Sequence, residues 1–209
     1  MDHIQGLGFF APLYQPGREV HVWGPPSTNR TLRRRLARYL SPPLFPVRLR
    51  EIAGRVICHD IVSDRFDLGE FEISAELVSH PDPTLGYRIA AGGRTLTYLP
   101  DHEPQLGLGL KLPESEWLSG YQLAEGADLL IHDAQYTPEE YATRVGWGHC
   151  TMALSVAFGE QAGVATHCLF HHDPTHTDLQ MDAFLEESRD RVEGTMQVDA
   201  AREGESLQV

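Results

Sequence analysis

The chain has 209 residues, of which 41% are hydrophobic, and a formal net charge of −13. This length suits one large domain or two small ones and is enough to bury a substantial core. No stretch approaches the ~20 apolar residues of a membrane span, and the first residues lack the basic and apolar segments of a signal peptide. We therefore expect a cytoplasmic protein with no membrane partner. The negative charge would repel a phosphate backbone, so nucleic acid is not expected as a partner either.

The cysteines support the same compartment. Cys58, Cys150 and Cys168 form no Cys-x-x-Cys pair and are odd in number, so a disulfide framework is not expected and a reducing environment fits. We interpret them as small buried hydrophobic residues.

Taken in chain order, alternating or apolar runs bounded by Gly, Pro and Asn predict strands, and apolar positions at helical spacing predict helices. The predicted strands are residues 19–23, 47–52, 55–61, 71–78, 87–90, 95–99, 127–131 and 165–170. The predicted helices are residues 28–40, 116–125, a helix beginning near 137, 151–163 and 178–191.

Two of these strand pairs are predicted as hairpins, joined by Ala53-Gly54 and by Gly92-Gly93. The arginines of the helix 28–40 form either a solvated face or a patch for a substrate phosphate, and the solvated face is the preferred interpretation. With hairpins first and strand-helix-strand units later, the chain is expected to form a mixed α/β fold.

The segment 167–177 carries the clearest chemical signal. An apolar strand ends here in a loop that holds His171, His172, Asp173 and His176. Imidazoles and carboxylates at the ends of rigid strands commonly form divalent-metal sites. The alternative interpretation of this segment is a histidine-rich surface loop. Other predicted strands deliver polar groups in the same way; they end near His80, Asp101 and Asp133. Desolvated imidazoles and carboxylates need partners, so their convergence favours a metal site.

These residues carry a resemblance to the metallo-β-lactamase fold hydrolases. Asp2-His3 resembles the second half of that family's His-x-His-x-Asp-His motif, and His80 is similar to its third metal motif. The run from Thr97 to Asp101 resembles the bridging-aspartate strand, and Leu169-Phe170-His171 resembles the last histidine motif.

A further pair of motifs points to one branch of the family. The branch is that of ribonuclease Z and the phosphodiesterases. Its His-Glu-Ala-Thr run is similar to the segment Leu129 to Ala134. Its Gly-His-Ser-Thr-like loop is similar to the segment Gly148 to Thr151. The resemblance runs along nearly the whole chain. It implies an αβ/βα sandwich and a single domain over residues 1–209.

The resemblance also assigns roles to residues. It implies metal ligands at Asp2, His3, His80, Asp101 and His171, which would hold two divalent ions, zinc or manganese, that activate a water for hydrolysis. Asp101 would bridge the ions, with Asp2 counted among the catalytic groups. His149 would stabilise developing charge or protonate the leaving oxygen.

Residues around these ligands are assigned supporting roles. His132 and Asp133 would orient the ligands from behind. His102, His172, Asp173 and His176 are expected at the pocket rim or in structural roles.

The chain departs from the family pattern at its start. The first His-x-His pair and the leading strands are absent, so we expect an incomplete sandwich whose Met1 is not the biological start. Such a chain is expected to be poorly soluble or partly disordered, to bind at most one metal ion tightly and to have little activity.

The expected function is hydrolysis of small phosphodiesters such as cyclic nucleotides. Ribonuclease Z carries a long arm where this chain has only a tight hairpin, which favours a small-molecule substrate over transfer RNA. Two alternatives remain open, a catalytically impaired remnant that binds one metal or a partner protein, and a lactone or thioester hydrolase. A homodimer is left open as the assembly.

Overall fold

The computed structural model describes residues 2–107, 112 and 114–209, without the side chains of Asp2, His3 and Glu116. The chain divides into two compact units, Met1–Val62 and Ser63–Val209, and each is described by itself. The single domain expected over residues 1–209 stays a prediction. Among the described residues, none of the helices has the length and apolar character needed to cross a bilayer.

The first unit contains a two-stranded parallel sheet, formed by β1 (Glu19–Gly24) and β2 (Arg55–Asp60). The helix α1 (Asp2–Gln5) begins the unit, and α2 (Leu32–Tyr39) packs on the sheet. The unit has its own apolar core. Its buried members are Leu13, Leu32, Leu36, Leu40, Phe45, Leu49, Ile52 and Val56.

The helix α2 begins later than the sequence predicts, because its cap is Thr31 and not Ser27 or Thr28. The Thr31 side chain accepts a hydrogen bond from the amide of Arg34, which satisfies one of the free amides of the first turn. Leu32 and Leu36 are buried, so the apolar stripe faces the core as predicted. The exposed arginines lie on the opposite side, although Arg33 also donates to the carbonyl of Val56.

The hairpin predicted from residues 47–52 and 55–61 is wrong. Leu49–Glu51 form a short 3-10 helix, and Arg55–Asp60 pairs in parallel with β1 instead. Leu49 and Ile52 are both buried. Apolar residues three positions apart lie on one side of a helical turn, whereas a strand would turn them to opposite faces.

The second unit is built on a seven-stranded sheet whose strands lie side by side in chain order. The first four strands run antiparallel: β3 (Ser63–Leu68), β4 (Phe71–Val78), β5 (Thr84–Ala91) and β6 (Arg94–Leu99). The last three run parallel to β6: β7 (Leu129–Asp133), β8 (Thr166–Phe170) and β9 (Gln197–Ala200).

Among the described residues of this unit, four α-helices join the strands: α3 (Tyr121–Ala124), α4 (Pro138–Tyr141), α5 (Met152–Ala162) and α6 (Asp178–Asp190). The most buried is α5, whose Phe158 has no exposed surface and contributes to the core beside the sheet. Thr151 caps α5 through the amide of Leu154, as predicted. The helix predicted over 116–125 is shorter, because Gly120 has a φ of 72° and interrupts it before α3.

The parallel arrangement of β6, β7 and β8 positions the candidate site. Asp101 follows β6, Asp133 is the last residue of β7, and His171 follows β8. Carboxyl ends of neighbouring parallel strands lie at the same edge of a sheet. The fold therefore brings these three side chains to one place.

Candidate metal centre

Four side chains form a cluster that could hold a metal ion. Asp101, Asp133, His149 and His171 each offer a ligand atom, and these atoms lie within 4.8 Å of one another. Within the described ranges, no other group of three or more such residues meets this criterion. Two carboxylates and two imidazoles are a donor set that zinc and other divalent ions accept. The chemistry of the cluster therefore fits a divalent metal.

His171 has an unusual backbone conformation. Its φ of 59° is the only positive value at a non-glycine residue in the described part of the chain. Its Nε2 lies 3.2 Å from Oδ1 of Asp101, and its ring stacks on that of His149 with centroids 4.8 Å apart. Backbone strain of this kind is typical of functional sites, where surrounding structure holds a side chain in an otherwise costly direction.

Asp133 is buried and its carboxylate is surrounded by donors. Oδ2 accepts from Nδ1 of His149 at 2.6 Å and from the amide of His102 at 3.3 Å. Oδ1 accepts from the amides of Gln135 and Cys150, both at 3.2 Å. Burial raises the pKa of Asp133 to about 6, against the effect of these hydrogen bonds, so the group is ionised at neutral pH.

Because these four donors occupy the carboxylate of Asp133, its geometry suits orienting His149 better than binding an ion.

His149 itself is placed to hold a proton. Burial works to lower the pKa of His149, but the hydrogen bond and charge of Asp133 outweigh it, helped by Asp101 and Glu103. The pKa of His149 is therefore raised above its ordinary value. An imidazole that keeps its second proton near neutral pH can act as a general acid.

Glu103 holds the loop that carries His149. Its buried carboxylate accepts from the amides of Gly146 and Gly148, each at 2.8 Å, and from the hydroxyl of Tyr141 at 2.5 Å. Glu103 was not among the residues predicted from the sequence. The available signal was a carboxylate four residues beyond the end of the β6 strand, two residues after Asp101 and before a proline.

Three fully buried histidines lie behind the cluster. Nδ1 of His102 is 2.8 Å from Nε2 of His132, whose Nδ1 is 2.8 Å from the hydroxyl of Ser155. That hydroxyl is 3.0 Å from Nε2 of His167. Burial lowers the pKa of His102 and of His167 to about 3 and that of His132 well below its ordinary value. These rings are neutral, and both ring nitrogens of His132 are already engaged.

His80 lies beside the cluster rather than in it. Its Nδ1 is 3.0 Å from the hydroxyl of Thr84 and accepts from the amide of Asp82, while its ring lies 5.7 Å from that of His149. The side chains of Asp2 and His3 lie outside the described part of the structure. The metal roles of Asp2, His3 and His80 therefore stay predictions.

The other polar residues of the 171–176 loop have structural partners or pack below the surface. His176 bonds to Glu140 at 2.9 Å, and Asp173 accepts from the hydroxyl of Thr175 at 2.6 Å. Burial lowers the pKa of His172. Asp173 and His176 therefore have partners within the protein, and the rim or structural roles expected for all three stay predictions.

Comparison with known proteins places this geometry in a family. The family model for the β-lactamase superfamily domain matches residues 1–172. Ribonuclease Z from Brevibacillus brevis is 24% identical over 230 residues, covering 89% of this chain and 69% of that protein.

Two solved structures share the fold. The metallo-β-lactamase fold protein YhfI from Bacillus subtilis superposes with a TM-score of 0.69 at 20% identity, covering 97% of this chain and 71% of that one. A diphosphatase of the PhnP family superposes with a TM-score of 0.61 at 20% identity, covering 98% of this chain and 66% of that one. The family model, the ribonuclease Z relatives and these structures agree with the branch that the motifs predicted. The chain belongs to the β-lactamase superfamily domain family and, by that resemblance, is a metal-dependent hydrolase, similar in sequence to ribonuclease Z and in fold to YhfI and the diphosphatase.

Proposed function

We propose that the chain hydrolyses small phosphodiesters, such as cyclic nucleotides, with the help of divalent metal ions. The observation that carries the proposal is the Asp133–His149 pair, with its hydrogen bond of 2.6 Å, beside Asp101 and His171. This arrangement combines side chains that can bind a metal ion with a protonated imidazole that can donate a proton to a leaving oxygen. Phosphodiester hydrolysis needs both.

Asp101 and His171 are the residues proposed to hold metal in the described cluster. Zinc or manganese bound there would lower the pKa of a water molecule and offset negative charge on the phosphate. Asp2, His3 and His80 remain further ligands predicted from the resemblance. The two-ion count and the identity of the metal belong to the proposal.

His149 is proposed to protonate the leaving oxygen. Its Nδ1 is held by Asp133, so the imidazole orientation is fixed and Nε2 is the nitrogen left to serve the substrate. The charge of Asp133 favours the imidazolium before the reaction. After proton transfer, the neutral ring keeps its hydrogen bond to Asp133 and is ready to be reprotonated from water.

Two features support a small substrate. β5 and β6 are joined directly, with Ala91 opposite Arg94 and only Gly92-Gly93 between them. No arm for gripping a long nucleic acid extends from this described hairpin. The formal net charge of −13 would also weaken binding to a polyanion. Ribonuclease Z is, by its name, a nuclease, and nucleases cleave phosphodiesters, which supports the bond type. The diphosphatase is, by its name, also an enzyme that acts on phosphate groups.

The test combines metal content with hydrolysis, measured on the 209-residue chain and on the product of the gene's full reading frame. Zinc- and manganese-loaded protein is assayed on bis(p-nitrophenyl) phosphate, cyclic nucleotides, a lactone and a thioester. We expect phosphodiester hydrolysis, with metal and activity lost in Asp101→Ala and His171→Ala. Asp173→Ala and His176→Ala, which change the same residue types in the neighbouring loop, should keep both.

Other outcomes would overturn the proposal. Unchanged metal stoichiometry in both Asp101→Ala and His171→Ala would exclude these residues as ligands. Bound metal with no hydrolysis of any substrate would favour the impaired remnant. Hydrolysis of only the lactone or the thioester would favour that class instead.

A further inference from the structure

A line of hydrogen bonds runs through the second unit, from His102 through His132 and Ser155 to His167. The three bonds measure 2.8, 2.8 and 3.0 Å, and all four side chains are fully buried. Buried polar networks rigidify a structure when each member finds a partner. The proposed hydrolytic chemistry does not use any of these four groups.

The line connects the elements that carry the metal cluster. His102 directly follows Asp101, and His132 directly precedes Asp133 at the end of β7. His167 lies in β8, the strand that leads into His171. His102 and His132 thus connect the ends of β6 and β7, and the line reaches β8 at His167, four residues before His171.

The fourth member connects the remaining element. Ser155 lies in the first turns of α5, which begins immediately after the loop of His149. Each clustered side chain is therefore attached to an element that also contributes one member of the line.

Counting protons limits the directions that the bonds of the line can take. Each neutral imidazole carries one N–H and one lone pair, and the Ser155 hydroxyl carries one proton. His132 bonds through both nitrogens, so one must donate and the other must accept. If His132 donates to His102, Ser155 must donate to His132 and His167 must donate to Ser155. The opposite choice reverses the bonds of His132 to His102 and to Ser155, but it leaves the Ser155 hydroxyl, which has two lone pairs and also contacts Cys150, able either to donate to His167 or to accept from it.

The two ends select one direction. The Nε2 edge of the His102 ring faces Gly120. The backbone carbonyl of Ser119 is a further acceptor for this ring, although the contact falls short of a full hydrogen bond. Nδ1 of His167 packs against Gly159, where an added Cβ would lie only 2.2 Å away, and it has no hydrogen-bond partner. A buried orphan N–H is rarer than a buried orphan acceptor. The proton of His167 therefore belongs on Nε2, and that of His102 on Nε2 facing Ser119.

We propose that His102, His132, Ser155 and His167 form one proton-ordered chain, with all three histidines held as the Nε2–H tautomer, that positions Asp101, Asp133, His149 and His171. The positioning role rests on the proposed metal function, whereas the tautomer assignment does not. Second-sphere hydrogen bonds of this kind fix the directions of metal ligands, and their loss typically weakens metal binding by about 10- to 100-fold.

Nuclear magnetic resonance of the ¹⁵N-labelled protein at neutral pH tests the proton order without any metal or variant. Long-range ¹H–¹⁵N correlations distinguish the two neutral tautomers, and the rings can be assigned through their backbone resonances. We expect His102, His132 and His167 all to show the Nε2–H pattern. An Nδ1–H pattern or a charged ring at any of the three would overturn the assignment.

Ser155→Ala tests the positioning role because it removes one hydroxyl from the middle of the chain. Ser188→Ala is the matched control, since Ser188 is a buried helical serine of the same unit, only 2% exposed and outside the chain. Co²⁺ affinity and the visible absorption spectrum of the Co²⁺ complex are measured. We expect Ser155→Ala to bind Co²⁺ about 10- to 100-fold more weakly with an altered spectrum, and Ser188→Ala to match the wild type.

The outcomes separate this inference from the proposed function. Equal Co²⁺ affinity and spectrum in Ser155→Ala and the wild type would overturn the positioning role and leave the hydrolase proposal intact. Co²⁺ binding that does not depend on Asp101 or His171 would overturn the proposed metal centre and the positioning role with it. The tautomer measurement would still decide the proton order in that case.

Discussion

Oε2 of Glu103 accepts a hydrogen bond of 2.8 Å from the backbone amide of Gly148, the residue before His149. The same carboxylate accepts from Gly146 through its other oxygen. Both oxygens of one buried side chain are thereby used to fix a short, glycine-rich turn. Because Glu103 follows Asp101 by two residues, the strand end that offers a metal ligand also holds the loop of the proposed general acid.

Glu103→Gln should lower turnover by roughly 10- to 100-fold with little change in KM, because a small displacement of a catalytic group is costly. The amide of glutamine can accept through only one atom, so one of the two backbone bonds is lost. Steady-state kinetics on a phosphodiester with an alkyl leaving group, whose departing oxygen needs the proton of His149, would measure the effect. Glu160→Gln is the matched control, because Glu160 accepts from the amides of Glu193 and Gly194 at a distant loop. Equal kcat in the two variants would show that the Glu103 bonds are dispensable for catalysis.

His149→Ala should retain its bound metal and yet hydrolyse esters with poor leaving groups about 10²- to 10⁴-fold more slowly, the usual size of a general-acid contribution. Esters with good leaving groups, such as p-nitrophenolate, should be affected less because their departing oxygen needs no proton. A comparison of alkyl and p-nitrophenyl phosphodiesters, with metal analysis of the same samples, measures both effects. Loss of metal from His149→Ala would instead make His149 a ligand, which its place in the cluster also allows.

The strand ends were predictable because their signals are local. Apolar runs that stop at Asp101, Asp133 and His171 mark buried strands that end at polar groups, and parallel pairing then brings those ends together. β3 was missed because its sequence, Ser-Asp-Arg-Phe-Asp-Leu, is polar and lies at the edge of the sheet. An edge strand with few buried side chains carries little apolar periodicity.

The supporting groups of the site were less predictable. His102 was expected at the pocket rim or in a structural role, and its position in a buried chain with Ser155 and His167 depends on the packing of α5 against the sheet. Glu103 bonds to residues more than 40 positions away. Hydrogen bonds between distant segments leave no periodic trace in a single sequence, whereas the polar residues at strand ends do.

The stability of the protein should fall in acid through His167. Burial lowers the pKa of its folded-state imidazole from 6.5 to about 3. Between these values the unfolded chain binds a proton that the folded chain does not, so the free energy of unfolding decreases as pH falls, by about 1.4 kcal/mol per pH unit. Asp133, whose folded pKa is raised to about 6, acts in the opposite direction as pH falls through that value.

His167→Gln should therefore flatten the pH dependence. Urea unfolding from about pH 4 to 7.5 should give a slope that is shallower than that of the wild type by up to about 1.4 kcal/mol per pH unit in the acid range. Above pH 7 the difference in the free energy of unfolding between the two proteins reflects only the altered packing. That difference serves as the internal reference. Parallel profiles for variant and wild type would contradict the role of His167.

Gly148→Ala should be far more harmful than Gly146→Ala, although both glycines have positive φ, 95° and 83°, and both donate to Glu103. A Cβ at Gly146 would meet nothing within 4 Å, so that variant bears only backbone strain, about 1–2 kcal/mol. At Gly148 the Cβ would lie 2.2 Å from Cδ2 of His80 and 2.6 Å from Cδ of Pro81. Overpacking adds about 1–3 kcal/mol and displaces the residue before His149. Thermal unfolding and kcat of both variants test this, and equal losses would show that His80 and Pro81 yield without moving the loop.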